Sequence, residues 1–139
     1  MQKLLILSIL IVPSLLLAGH IPAVCHNELA SWIKAGHAPA IVDVQDADGF
    51  RAQNYEHALA AGRDPVALKK IAARLRSTTG KVVVVSATGG DDTVQAVEQL
   101  VRGGVKRSRI LLLEGGMLAA ARNAACECCK PSALQGAAK

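Results

Sequence analysis

The chain has 139 residues, 16 of them basic and 11 acidic, which gives a formal net charge of +5. Its basic residues are scattered and only 2% of its residues are aromatic, whereas nucleic-acid binding usually needs a focused basic face, often with stacking rings. Nucleic acid is therefore not an expected partner, and the charge is attributed to a soluble surface.

The N-terminal segment predicts export. Lys3 precedes an apolar run from Leu4 to Ala18, and Leu17-Ala18-Gly19 offers the small residues that a signal peptidase needs. The run of about 15 residues is shorter than the roughly 20 that span a bilayer as a helix, so an uncleaved anchor is the weaker alternative. His20 stands where a lipoprotein would carry its lipidated cysteine, so lipidation is not expected.

These signals divide the chain into three parts. We expect a secretory signal peptide over residues 1–19, one domain over 20–129 and a disordered C-terminal tail over 130–139. About 120 residues remain after the signal, enough for a single modest core. The expected location is periplasmic or secreted, with membrane contact only through an uncleaved signal.

Strand and helix patterns alternate along the domain. Asp64-Pro65 is a strong helix start, with a capping side chain and a proline in the first turn. Val82 to Val85 is an all-apolar run typical of a strand covered on both faces. The full pattern predicts strands at 40–44, 82–85 and 110–113, and helices at 27–36, 47–53, 64–79, 92–103 and from 116 to about 126. This alternation predicts an α/β fold with a mostly parallel sheet between two helical layers.

Ligands of such sheets bind beyond the carboxyl ends of the strands. Three loops are expected at that edge: Gln45-Asp46, Ser86 to Asp91, and Glu114 to Gly116. The middle loop is the best candidate for binding, because amides at a helix N-terminus point outward. Its candidate residues are Ser86, Ala87, Thr88, Gly89, Gly90 and Asp91.

Two simpler interpretations compete with a binding site there. The loop can be a plain strand-to-helix turn, with glycines for backbone freedom and Asp91 or Asp92 as the N-cap. Asp43, at the end of the preceding strand, can orient a ligand or can simply hold neighbouring loop amides.

Serine hydrolysis is disfavoured because the chain has no Gly-x-Ser-x-Gly elbow and no histidine with an evident path to Ser86.

The order of these segments resembles the rhodanese-like domains. Val42-Asp43-Val44-Gln45 is similar to the family's strand ending Asp-Val-Arg, and Phe50 to Ala58 is similar to its Phe-x-x-Gly-His-Ile-Pro-Gly-Ala segment. Val82 to Asp92 lies where the family has a hydrophobic strand followed by Cys-x-x-Gly-x-x-Ser. Leu113 to Gly116 resembles its closing Leu-x-Gly-Gly. The resemblance spans residues 25–123 and implies the three-layer rhodanese-like fold.

The departures from the family lie where its chemistry would be. Rhodanese activity depends on a loop cysteine that carries a persulfide, and Ser86 stands at that position. A serine cannot form a persulfide and is a poor nucleophile without an adjacent base. Asp91 and Asp92 end the loop where the family often has an arginine, and they would oppose an anionic substrate. Gln45 and Asn54 replace the family's usual arginine and histidine, and its tryptophan after Gly-Gly is absent.

The four cysteines are Cys25, Cys126, Cys128 and Cys129. In an exported protein they can form a structural disulfide between Cys25 and one of the other three, and the sequence does not choose the pairing. Alternatively, the cluster Cys126, Cys128 and Cys129 can bind a soft metal such as Cu(I) or Zn(II). A third possibility is thiol redox chemistry or sulfur relay.

These observations predict an exported rhodanese-like domain with a degenerate loop, acting as a non-catalytic binding or accessory module in the cell envelope. Its partner would be an unknown small molecule or envelope protein, and no cofactor is expected beyond a possible metal ion at the C-terminal cysteines. The alternative is a thiol protein that acts in sulfur transfer, redox chemistry or metal binding through that cysteine cluster.

Overall fold

The computed structural model describes residues 19–122, which form one parallel five-stranded sheet with the strand order β1-β5-β4-β2-β3. The strands are β1 (Ala23–Val24), β2 (Ala40–Asp43), β3 (Leu59–Ala60), β4 (Val82–Val85) and β5 (Ile110–Leu113). The helices are α1 (His26–Lys34), α2 (Ala47–Ala52), α3 (Pro65–Leu75), α4 (Asp91–Arg102) and α5 (Gly116–Ala121), and a 3₁₀ turn covers Arg107–Arg109.

The sheet is covered on both faces, as the all-apolar strand predicted. Successive side chains of β4 point to opposite faces: Val82 and Val84 belong to one buried cluster, and Val83 and Val85 belong to the other. The first cluster contains the apolar faces of α3 and α4, and the second contains those of α1 and α5. The predicted α/β architecture, a parallel sheet between helical layers, is confirmed.

The two edge strands were not predicted. β1 and β3 have two residues each, too few to show a period in the sequence. Both are defined by long-range pairing: Ala23 pairs with Leu112, and Leu59 pairs with Val42. A short strand of this kind exists because its neighbour supplies the hydrogen bonds, which local sequence does not reveal.

Several predicted boundaries shift. Helix α1 begins at His26 and ends at Lys34 rather than spanning 27–36, β2 ends at Asp43, one residue earlier than predicted, and α3 ends at Leu75 rather than at 79. Helix α4 starts at Asp91, with Gly90 as its N-cap, so the expectation that Asp91 or Asp92 would cap it is wrong. Both acids lie instead in the first turn of α4, where carboxylates favour the positive end of the helix dipole.

Several expectations lie outside the described residues. These are the signal peptide, the cysteine cluster of Cys126, Cys128 and Cys129, and the tail over 130–139. Among residues 19–122 no helix is long and apolar enough to cross a membrane.

Candidate functional site

Ser86 is turned inward at the carboxyl end of β4. It directly follows Val85, which pairs with Asp43 of the neighbouring strand, and it is 3% exposed. Its Oγ accepts a hydrogen bond from the N–H of Gly89 at 2.8 Å. The hydroxyl is therefore used inside the loop, where it holds the turn that carries Gly89 at a φ of 74°.

The start of α5 packs against one side of the loop. The N–H groups of Met117 and Leu118 donate to the carbonyl oxygens of Ser86 and Ala87, both at 2.9 Å. Backbone donors in the first turn of a helix lack partners within the helix, and the loop carbonyl groups supply them here. The same two bonds join the predicted second and third loops to each other. A Cβ on Gly116 would lie 2.5 Å from the Ser86 carbonyl oxygen, so only glycine allows this approach.

The outer part of the loop is open. Ala87, Thr88 and Gly90 are exposed, and within the part of the chain that the structure describes their N–H groups have no hydrogen-bond partner. Exposed backbone donors of this kind are available to a ligand's acceptor atoms. The loop thus has a buried serine whose oxygen accepts a hydrogen bond within the loop, and three exposed residues whose N–H groups have no partner among residues 19–122.

The charge beside the loop is partly neutralised. Asp91 and Asp92 are exposed, and Arg63 donates to an Asp92 carboxylate oxygen at 2.6 Å. Arg63 and Asp92 also line a small cavity of about 90 Å³, with Val44 and Gln95 among its other walls. The position of both acids beside the loop could be predicted from the sequence. The pairing of Asp92 with Arg63 could not, because the two residues lie far apart in the chain.

Asp43 faces its own loop. Its carboxylate accepts from the Gln45 backbone N–H at 2.9 Å and from the Gln45 side-chain amide at 3.1 Å. The same amide donates to the carbonyl oxygen of Gln53 at 3.0 Å. Burial raises the pKa of Asp43, and the two hydrogen bonds from Gln45 oppose that rise. Gln45 thus joins β2 to the end of α2.

Cys25 lies at the same edge of the sheet as the loop. It follows β1, and Val24 accepts a hydrogen bond from the N–H of Glu114, directly after β5. One strand, β5, therefore lies between the strand that Cys25 follows and the strand that Ser86 follows. Cys25 is 2% exposed and its sulfur is not a free thiol. Its three expected partners lie outside the described residues.

A pair that the sequence did not indicate lies next to Cys25. The Nδ1 atom of His26 is 2.5 Å from the hydroxyl of Tyr55, and the two ring centroids are 5.8 Å apart. Burial raises the pKa of Tyr55 to about 12. The pair links α1 to the segment after α2, and its residues are too far apart in sequence to suggest contact.

No group of three or more potential metal-binding side chains occurs within residues 19–122. The candidate soft-metal ligands Cys126, Cys128 and Cys129 are outside that range, so the metal hypothesis stays a prediction.

Solved structures show where this architecture occurs. No family model and no curated protein matches the sequence. A rhodanese-related protein from Thermoplasma volcanium is 21% identical with a TM-score of 0.56, over 74% of this chain and 93% of its own. A rhodanese-like domain from Anabaena is 22% identical with a TM-score of 0.58, over 74% and 75%. A yeast protein tyrosine phosphatase of the rhodanese family is 18% identical with a TM-score of 0.57, over 75% and 85%. The chain has the rhodanese-like fold.

Proposed function

We propose that this protein is an exported, non-catalytic rhodanese-like module of the cell envelope, which binds a small molecule or another envelope protein through the loop from Ser86 to Asp91. The observation that carries the proposal is the state of Ser86. Its hydroxyl is buried and bonded to the Gly89 N–H, so the position from which rhodanese chemistry would start is occupied by a structural group.

The open amides support binding at the same loop. The N–H groups of Ala87, Thr88 and Gly90 offer donors for a ligand's carbonyl or hydroxyl oxygen. Asp91 has no ion pair within residues 19–122, and it would repel a thiosulfate-like anion at close range. The combination favours a neutral or cationic ligand.

A disulfide at Cys25 is the second part of the proposal. Cys25 is buried at the N-cap of α1 and is not a free thiol. A bond from it to one of Cys126, Cys128 and Cys129 would tie the chain after α5 to the start of the domain, closing a loop of about 100 residues and stabilising the fold by roughly 4 kcal/mol.

A sulfurtransferase assay tests the absence of catalysis. The purified protein is incubated with thiosulfate and cyanide, and we expect no thiocyanate above the uncatalysed rate. The matched control is a triple variant with Cys126, Cys128 and Cys129 replaced by serine, which we expect to behave identically. Clear turnover that persists in the triple variant would overturn the proposal.

Restoring the missing thiol sharpens the test. In Ser86→Cys the new sulfur would sit beside the Gly89 N–H, but it would also be buried, and Asp91 and Asp92 would still begin the helix that follows the loop. We therefore expect turnover to stay within a few-fold of background. Adding Asp91→Asn and Asp92→Asn should raise it further, since the carboxylates that repel thiosulfate are gone.

Intact-mass measurement with and without alkylation tests the thiol alternative. A structural disulfide predicts that at least two of the four cysteines resist alkylation until a reductant is added. If all four are alkylated without reductant, or if a metal adduct accounts for their protection, the thiol or metal function of the C-terminal cluster replaces the disulfide.

A further inference from the structure

The amino-terminal edge of the sheet, opposite the loop of Ser86, contains a separate cavity. It has a volume of about 510 Å³, within the range of small-molecule sites. It lies between the turn that enters β2 and the turn that enters β4. Its walls are Trp32, His37, Ala38, Pro39, Ala40, Thr79, Gly80 and Lys81, and we call it the amino-edge cavity.

The charge in this cavity is positive. Lys81 holds its ammonium group 4.1 Å from the centroid of the Trp32 ring, a cation–π contact that positions the charge. Within residues 19–122 Lys81 takes part in no ion pair, and no acidic side chain lines the cavity. His37 adds a second nitrogen donor or acceptor at the wall.

The walls are held in place by hydrogen bonds. The N–H of His37 donates to the Trp32 carbonyl oxygen at 2.9 Å, and the N–H of Ala40 donates to the Lys81 carbonyl oxygen at 3.1 Å. On the other side, the Arg109 guanidinium donates to the Gly80 carbonyl oxygen at 2.6 Å. A cavity with fixed walls loses little conformational entropy when a ligand binds.

An apolar surface continues beyond the cavity. Ala38, Pro39 and Ala40 also line a second cavity of about 280 Å³. Its deeper walls are the apolar side chains of Ile33, Ile41, Leu59 and Leu75, and its charged or titratable groups are Arg74, Glu56 and His57. Arg74 and Glu56 carry opposite charges, so the positive charge of the surface is concentrated at Lys81.

We propose that the amino-edge cavity binds a small amphiphilic carboxylate, with the carboxylate at Lys81 and the apolar part along Pro39 toward the second cavity. The carboxylate supplies the counter-charge that Lys81 lacks within the described residues, and charge-assisted hydrogen bonds to such a group are among the strong ones. This proposal does not depend on the function of the Ser86 loop.

Trp32 makes the proposal directly measurable because it is the only tryptophan of the chain. The purified protein is titrated with sodium octanoate, which does not absorb where tryptophan does, and the emission of Trp32 is followed. Isothermal calorimetry on the same samples gives the affinity independently of the fluorophore. We expect a saturable change, and no comparable change with 1-octanol at equal concentration.

Variants separate the site from general surface binding. Lys81→Gln should weaken octanoate binding about tenfold, the loss expected when a charged partner becomes neutral. Lys70→Gln, an exposed lysine on α3, is the matched control and should bind as the unmodified protein does. The absence of saturable binding, equal affinity for 1-octanol, or equal affinity in Lys81→Gln would each overturn the proposal.

Discussion

The two edges of the sheet are built in opposite ways. At the carboxyl edge the loop after β4 and the start of α5 are joined by backbone hydrogen bonds, and the Ser86 hydroxyl oxygen accepts a hydrogen bond within the turn. At the amino edge the turns that enter β2 and β4 are joined by one backbone hydrogen bond, and a cavity of about 510 Å³ lies beside it. One side of the carboxyl-edge loop is thus packed against α5, while the amino edge offers a larger space and a lysine, Lys81, that has no ion pair within residues 19–122.

The packing of α5 against the Ser86 loop depends most on Gly116. Substitution of Gly116 should therefore lower the free energy of unfolding more than any other change considered below. In Gly116→Ala the new Cβ would lie 2.5 Å from the Ser86 carbonyl oxygen, at a φ of 62°. Overpacking and left-handed strain together should lower the free energy of unfolding by about 3 kcal/mol, measured by urea denaturation. Gly36→Ala is the control, because its φ is 77° but nothing lies within 4 Å. Equal losses in both variants would mean that the two loops are not closely packed.

The amino edge should depend on Arg109. Its guanidinium donates to the carbonyl oxygens of Gly80 and Leu75 and to the Thr78 hydroxyl. Arg109→Ala should lower the free energy of unfolding by about 2 kcal/mol, since the three bonds hold the turn before β4. It should also weaken octanoate binding, because Gly80 forms a wall of the cavity. Arg107→Ala, which removes one bond of 3.4 Å, should change neither property measurably.

The serine's structural role predicts a moderate effect. Ser86→Ala leaves the Gly89 N–H without its acceptor and should cost about 1 kcal/mol in the free energy of unfolding. Ser77→Ala removes a hydroxyl that bonds to the Arg74 carbonyl oxygen in an exposed turn, and it should cost clearly less. If the two variants unfolded at the same urea concentration, the inward hydrogen bond of Ser86 would not stabilise the loop.

Asp43 predicts a smaller effect that depends on pH. Burial raises the pKa of Asp43 above the ordinary value of 3.8. The folded protein therefore binds this proton at a higher pH than the unfolded chain does. Stability from the protonated group is therefore fully present below 3.8 and is lost as pH rises through the folded pKa. The unmodified protein should thus gain stability relative to Asp43→Asn as pH falls from 7 toward 4, measured by urea denaturation at each pH. A constant difference over that range would show that the Asp43 pKa is not raised.

Much of the fold could be predicted because its signals are local. The four valines of β4 predict a strand, and Asp64-Pro65 predicts the start of helix α3, each from a few consecutive residues. The alternation of such strands and helices predicts a parallel sheet. The two-residue edge strands could not be predicted, since their pairing partners lie far away in the chain. The loop from Ser86 does follow a strand and precede a helix, as predicted, but the cap of α4 was assigned to the wrong residue.

The residue types of the loop can be read directly from the chain: Ser86 follows a run of four valines, and Asp91 and Asp92 end the loop. The folded structure adds that the serine oxygen accepts a hydrogen bond inside the loop, that Gly116 packs against the Ser86 carbonyl group, and that Arg63 pairs with Asp92. It also decided that Lys81 lies over Trp32 at an open cavity. The physical reason is the same in each case: residue type is written in the chain, whereas contacts between distant segments exist only once the sheet has brought those segments together.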